Sequence, residues 1–291
     1  MVKRTVTKKF KGREILVVVF SLLFMASSIF INFTTKVNIP GPYQNPNAWT
    51  IKLQDDFSGS TLNLSHWSYN YPTDWPNGGH THNHQAYMND SNVVIENGLL
   101  RLMGENQRHP DAPNPEWGFG KWLTYNYTAG CIHTRGKYNF TGGYIEGRMK
   151  MPVSRGFWPA FWMLKDAEVG LPEVDILEVL THQPRNLYTT VHYGHTWSDY
   201  SSYGWLAAGL PDLSADFHTY GVEVSKRSLT WYFDGIRIGR IFRDKYWLER
   251  CTDLFVIINL AIGGWELDPD ETTIWPAYFD CDWIKVWQLV K

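Results

Sequence analysis

From about residue 49 onward the chain alternates apolar and polar residues with a period of two. In YIEGRMKM (144–151), Tyr144, Glu146, Arg148 and Lys150 fall on one side, and Ile145, Gly147, Met149 and Met151 on the other. SLTWYFDGIRIGRI (228–241) carries two such runs around Asp234-Gly235, a dipeptide that predicts a tight hairpin turn. LYTTVHYG (187–194) and LFVIINLAIGG (254–264) read as further strands. Helical periodicity is sustained nowhere, and DKYWLERCTDL (244–254) holds at most a turn or two. Many short strands separated by Gly and Pro predict an all-β sandwich or barrel.

The N-terminus breaks this pattern. Lys3, Arg4, Lys8, Lys9, Lys11 and Arg13 precede ILVVVFSLLFMASSIFINF (15–33), an uncharged run of 19 residues. A basic flank before an apolar run predicts either a cleaved secretory signal or a retained membrane anchor over residues 1–33. Ala26, Ser27 and Ser28 offer a cleavage site, but the apolar run continues past them. In both cases the body is expected outside the cytoplasm, secreted or anchored through residues 15–33. Residues 34–48, with three prolines, read as a linker. No composition break or repeat follows, so 49–291 is expected to be one domain of about 240 residues, acting as a monomer.

Charge narrows the partners. Of 27 basic and 29 acidic residues, the first 33 positions hold six and one, which leaves 21 against 28, a net of −7 for the remainder. Such a body lacks the basic footprint that nucleic acid needs and suits a neutral polymer. With 15 Trp, 16 Tyr and 15 Phe, most rings must fill a core, while a handful can serve as platforms for sugar rings. Cys131, Cys251 and Cys281 allow one disulfide at most, and no Cys/His spacing indicates a metal site.

The chemistry concentrates in LPEVDILEVL (171–180), where three acids interrupt an apolar, β-branched run. Buried carboxylates are costly unless paired or functional. On a strand Glu173 and Asp175 share a face, whereas Glu178, five positions from Glu173, points the other way. One β-bulge among Ile176–Glu178 would return it to the same face and set three carboxylates in a row. A calcium loop would draw its ligands from Gly- and Asn-rich sequence, and these acids interleave with Val, Ile and Leu instead. A retaining glycosidase needs two such carboxyl groups close together, one as nucleophile and one as acid/base. A third acid between them can keep the outer two at different pKa values.

EVDILE (173–178), with GFWPAFWML (156–164) and YTAGCIHTRGKYNF (127–140), resembles the laminarinase and lichenase family, glycoside hydrolase family 16. The likeness continues through DDFSGSTLNLSHW (55–67), DFHTYGVEVS (216–225), WYFDG (231–235), NLAIGGW (259–265) and DWIKVWQ (282–288). It implies a jelly-roll sandwich of two antiparallel sheets with a substrate cleft on a concave face. It also implies Glu173 as nucleophile, Asp175 as assisting acid and Glu178 as acid/base, in the laminarinase form of the motif. His192 and Trp158 match residues that face the cleft, and Tyr188, Thr190 and His192 alternate onto one polar side. Asn83 falls where the family has an Asn-Asn-Glu stretch, which reads NHQAY here. Trp162 reads as core, Trp265 as core or platform, and Asn259 as a satisfied core amide or a cleft donor. No cofactor is expected for catalysis, but the family implies a structural calcium held by Asp282 and a carbonyl near Gly98. The expected reaction is endo-hydrolysis of β-1,3-glucan, or of mixed β-1,3/1,4-glucan. A galactan- or exopolysaccharide-acting relative is the rival enzyme. A glucan-binding lectin is the rival outside enzymes, and such binders commonly lack the three acids.

Overall fold

The computed structural model describes residues 39–75, 83–118, 120–166, 170–194, 198–242 and 251–290. The apolar run 15–33 and most of the segment 244–254 lie outside these residues. Two sheets form the sandwich. One has seven strands, in the order Ser201–Ala208, Asn186–Tyr193, Glu173–Glu178, Phe157–Lys165, Leu254–Ile262, Cys131–His133 and Ser68–Tyr69. The other has ten and is built around Ala277–Leu289, which pairs with Gly143–Lys150, Leu99–Glu105 and Trp49–Asp55.

Period two sorts each strand between core and outside. In Asn186–Tyr193, Leu187, Thr189 and Val191 are buried while Tyr188, Thr190 and His192 stay partly open. Val174, Leu177, Phe161, Met163, Ile258 and Leu260 are fully buried. Burying each such side chain contributes about 1.5–3 kcal/mol. Asp234 and Gly235 both take positive φ (46° and 71°), the turn expected between Ser228–Phe233 and Ile236–Phe242.

Two expectations need correction. The large sheet is mixed rather than antiparallel, because Ala86–Met88 runs parallel to Tyr127–Ala129. Residues 39–48 are not a free linker either. Gly41–Gln44 forms a helical turn and Pro46–Ala48 a 3-10 turn. The backbone N–H of Gly41 donates to Glu223 Oε2 at 3.0 Å, and the Tyr43 hydroxyl donates to buried Glu146. Proline content marked this segment as unable to continue a strand, but its aromatic ring found a place on the sheet: Tyr43 packs edge-on against Tyr144 and Trp287.

Candidate active site

The pairing of Glu173–Glu178 with its neighbours places the three acids. Against Asn186–Tyr193, Glu173 sits opposite His192, Asp175 opposite Thr190 and Glu178 opposite Tyr188. One residue, Thr189, lies between Thr190 and Tyr188, while two, Ile176 and Leu177, lie between Asp175 and Glu178, so one residue of the acid strand is left over. The other neighbour shows the same slip, with Leu177 and Asp175 opposite the adjacent residues Phe161 and Trp162. This is the bulge required by the odd spacing, and it returns Glu178 to the face of Glu173 and Asp175. Trp231, fully buried in the facing sheet, donates its indole N–H to the Asp175 carbonyl at 2.8 Å.

Asp175 lies deepest, with 4% of its side chain exposed against 25% for Glu173. His192 Nε2 stands 3.0 Å from Asp175 Oδ2 and 3.5 Å from Glu173 Oε1. Burial pushes the Asp175 carboxyl up to about 8. Glu173 is raised too, by burial first and then by the Asp175 charge, with His192 pulling the other way. Burial acts harder on Asp175, and its Oδ2 has no aligned hydrogen-bond donor. We therefore place the shared proton on Asp175, which leaves Glu173 as the group free to carry charge. The Tyr200 hydroxyl lies 2.5 Å from His192 Nδ1, and the two rings stack at 5.8 Å. A hydroxyl donating to Nδ1 leaves the ring proton on Nε2, facing the carboxylates.

Glu178 takes a different partner, since Trp158 Nε1 donates to its Oε1 at 3.2 Å. Around that end the aromatic rings cluster. Trp265 packs edge-on to Trp158 (5.6 Å) and to Tyr188 (4.9 Å), beside Glu178. The next residue, Glu266, is 2% exposed and meets His182 Nδ1 at 2.7 Å, anchoring the Trp265 turn from below. On the other side Trp75 stacks on Tyr71 (5.2 Å) and leans on Trp162 (6.3 Å). Tyr200, Glu266, His182 and Trp75 were not singled out from the sequence. A buried-acid and histidine pairing across 84 positions leaves no local signal.

The remaining expected residues divide. Asn259 is 4% exposed and its Oδ1 accepts from Trp162 Nε1 at 2.8 Å, so it is a satisfied amide under the cleft floor. Asn83 is exposed, at φ 57°, and its backbone oxygen lies against Gly264, beside Trp265. Asp282 and Gly98 belong to the large sheet, away from the acids. Calcium takes six to eight oxygen ligands. The Asp282 carboxylate is instead engaged by the Arg148 guanidinium, and Gly98 sits in a turn at φ 72°. In the described residues the Arg148 guanidinium, rather than a metal ion, balances the Asp282 charge. Among the described residues the one three-ligand group is Glu173, Asp175 and His192, whose ligand atoms lie within 4.8 Å of one another.

Two carboxyl groups flank a third on an open sheet face between aromatic walls, and this is the equipment of a glycoside hydrolase. Residues 80–285 match glycosyl hydrolases family 16, and the chain belongs to that family. It is 28% identical over 265 residues to glucan endo-1,3-beta-glucosidase A1 of Niallia circulans, covering 81% of this chain but 37% of that protein. With the glucan endo-1,3-beta-glucosidase of Cryptopygus antarcticus it shares 28% over 263 residues, 82% of this chain and 92% of the other. The endo-beta-1,3-glucanase of Pyrococcus furiosus superposes with a TM-score of 0.69 at 30% identity, covering 84% of this chain and 95% of that one.

Proposed function

We propose that this chain is a retaining endo-β-glucanase that cleaves β-1,3-linked glucan, including mixed β-1,3/1,4 chains. The observation that carries the reading is the bulge between Asp175 and Glu178, which sets three acids on one open face. Glu173 attacks the anomeric carbon while Glu178 gives its proton to the departing glycosidic oxygen, so that bond breaks as the glycosyl ester forms. Water then attacks the same carbon, its proton passes to Glu178, and Glu173 is released with net retention. Asp175, holding a proton beside Glu173, steadies the nucleophile's charge, and His192 fixes both. The names of the similar glucanases and the aromatic rings around the three acids support a glucan substrate.

Incubation with a polysaccharide panel, with products sized over time, tests this reading. A fast fall in β-1,3-glucan chain length is expected, and cleavage confined to a galactan would overturn it. The basic flank and apolar run of residues 3–33 support a body held outside the cytoplasm, secreted or anchored.

A further inference from the structure

Away from the cleft floor, the hairpin Glu116–Gly118 and Lys121–Leu123 leaves two indoles in solvent. Trp117 is 64% exposed and Trp122 62%. They are direct cross-strand partners and meet edge to face, ring centroids 5.7 Å apart at 82°. A single exposed apolar side chain needs no explanation, but two adjacent tryptophans turned outward from one hairpin are an aggregation hazard unless they bind something.

The hairpin is held firmly at its base. Arg108 donates to four carbonyls, those of Thr124 and Tyr125 on one side and Ala112 and Pro113 on the other. His109 stacks on Tyr87 at 4.3 Å with the rings 3° from parallel. Lys121 pairs with Asp268, which also accepts from Gln85 at 2.5 Å. Asp268 lies three residues beyond Trp265. By chain connectivity alone the exposed pair is therefore within about 25 Å of the cleft wall. A preorganised platform loses little entropy on binding.

We propose that Trp117 and Trp122 form an accessory carbohydrate platform that captures a β-1,3-glucan chain outside the cleft and feeds it towards Trp265. This rests on the glucanase reading above. The faces of a β-glucopyranose ring are lined with C–H bonds, which suit the electron-rich face of an indole. Successive rings of a β-1,3 chain turn relative to one another, so two indoles at right angles can each take a ring where a flat pair could not. An anionic partner is disfavoured by the negative body.

The test uses the full chain in a Glu173→Gln background, which binds without turnover, and measures retention on insoluble β-1,3-glucan particles. The Trp117→Ala/Trp122→Ala variant is expected to lose retention about tenfold, with its Tm and circular dichroism unchanged. The Trp117→Phe/Trp122→Phe variant, which keeps aromatic faces, should recover most of it. Wild-type cleavage of a short soluble β-1,3-oligosaccharide is assayed in parallel. If that fails, the glucanase reading falls. If it succeeds and the alanine variant is retained as well as its parent, the platform is wrong. A change of oligomeric state on gel filtration, or loss of binding to phosphatidylcholine vesicles without loss of glucan retention, would assign the indoles to a second copy or a lipid surface and overturn the proposal.

Discussion

Trp231 and Asp175 join the two sheets at the point where the acid strand slips register. The indole N–H reaches across the core to the Asp175 carbonyl at 2.8 Å. A bulge frees backbone groups from the ladder, and a freed carbonyl this deep needs a donor. Trp231→Phe keeps an aromatic ring but removes that donor together with the pyrrole half of the indole. It is expected to cost about 1–3 kcal/mol of stability by leaving the carbonyl unsatisfied. The looser bulge should also lower kcat more than it changes KM. Chemical denaturation and steady-state kinetics on one substrate check both, and an unchanged kcat would detach Trp231 from the site.

The outer acids should fail in different ways. Glu173→Gln abolishes turnover on every substrate, because no glycosyl ester can form. Glu178→Ala cripples polysaccharide cleavage but still accepts a β-glycoside with an activated aryl leaving group, which needs little protonation. Azide should rescue that variant and yield the β-glycosyl azide. In the wild type, time-resolved NMR should show the β-anomer first; an α-anomer appearing first would mean direct attack by water with inversion and would rule out Glu173 as nucleophile.

Asp175 makes stability depend on pH. Its carboxyl is pushed up to about 8 by burial, whereas the unfolded chain ionises near the ordinary aspartate value. The folded form thus binds the proton more tightly, and that contribution is complete below the unfolded pKa and lost as pH rises through about 8. Asp175→Asn has no proton to lose. Its Tm relative to wild type should therefore improve from pH 4 to about pH 8 and level off above it. A constant difference across that range would mean that Asp175 titrates normally.

Calcium should make little difference. With Asp282 engaged by Arg148, the melting temperature is expected to be the same in millimolar calcium and in chelator. A rise of several degrees with calcium would show that the guanidinium yields to the ion.

The basic flank and apolar run of residues 3–33 predict translocation. Fractionation should find the body outside the cytoplasm, and N-terminal sequencing should separate cleavage from anchoring. Full-length protein soluble in the cytoplasm would refute it.

The sequence was most legible where chemistry and period two collide. Glu178 stands at an odd distance from Glu173, and only a bulge reconciles that with a shared surface, so the bulge could be read in advance. His192 came from the family resemblance, and the alternation of Tyr188, Thr190 and His192 on one strand agreed with it. Tyr200 had no such signal, since it reaches His192 only after the chain turns back. Trp231 and Asp175 meet through the core, a contact that no local pattern encodes. The parallel pair of Ala86–Met88 with Tyr127–Ala129 depends on a long excursion between them. Asn259 was ambiguous because its face is decided by Trp162 in the adjoining strand.

The turn at residues 39–48 has a geometric consequence. Its anchors, Glu146, Tyr144 and Trp287, lie on the large sheet, and Ile145 and Met149 of the same strand point into the core. The chain therefore joins the sandwich on the side turned away from Glu173 and Glu178. A polymer lying along the acid face and the turn at residues 39–48 thus occupy opposite faces of the described sandwich, so the contacts of Tyr43 leave the groove clear.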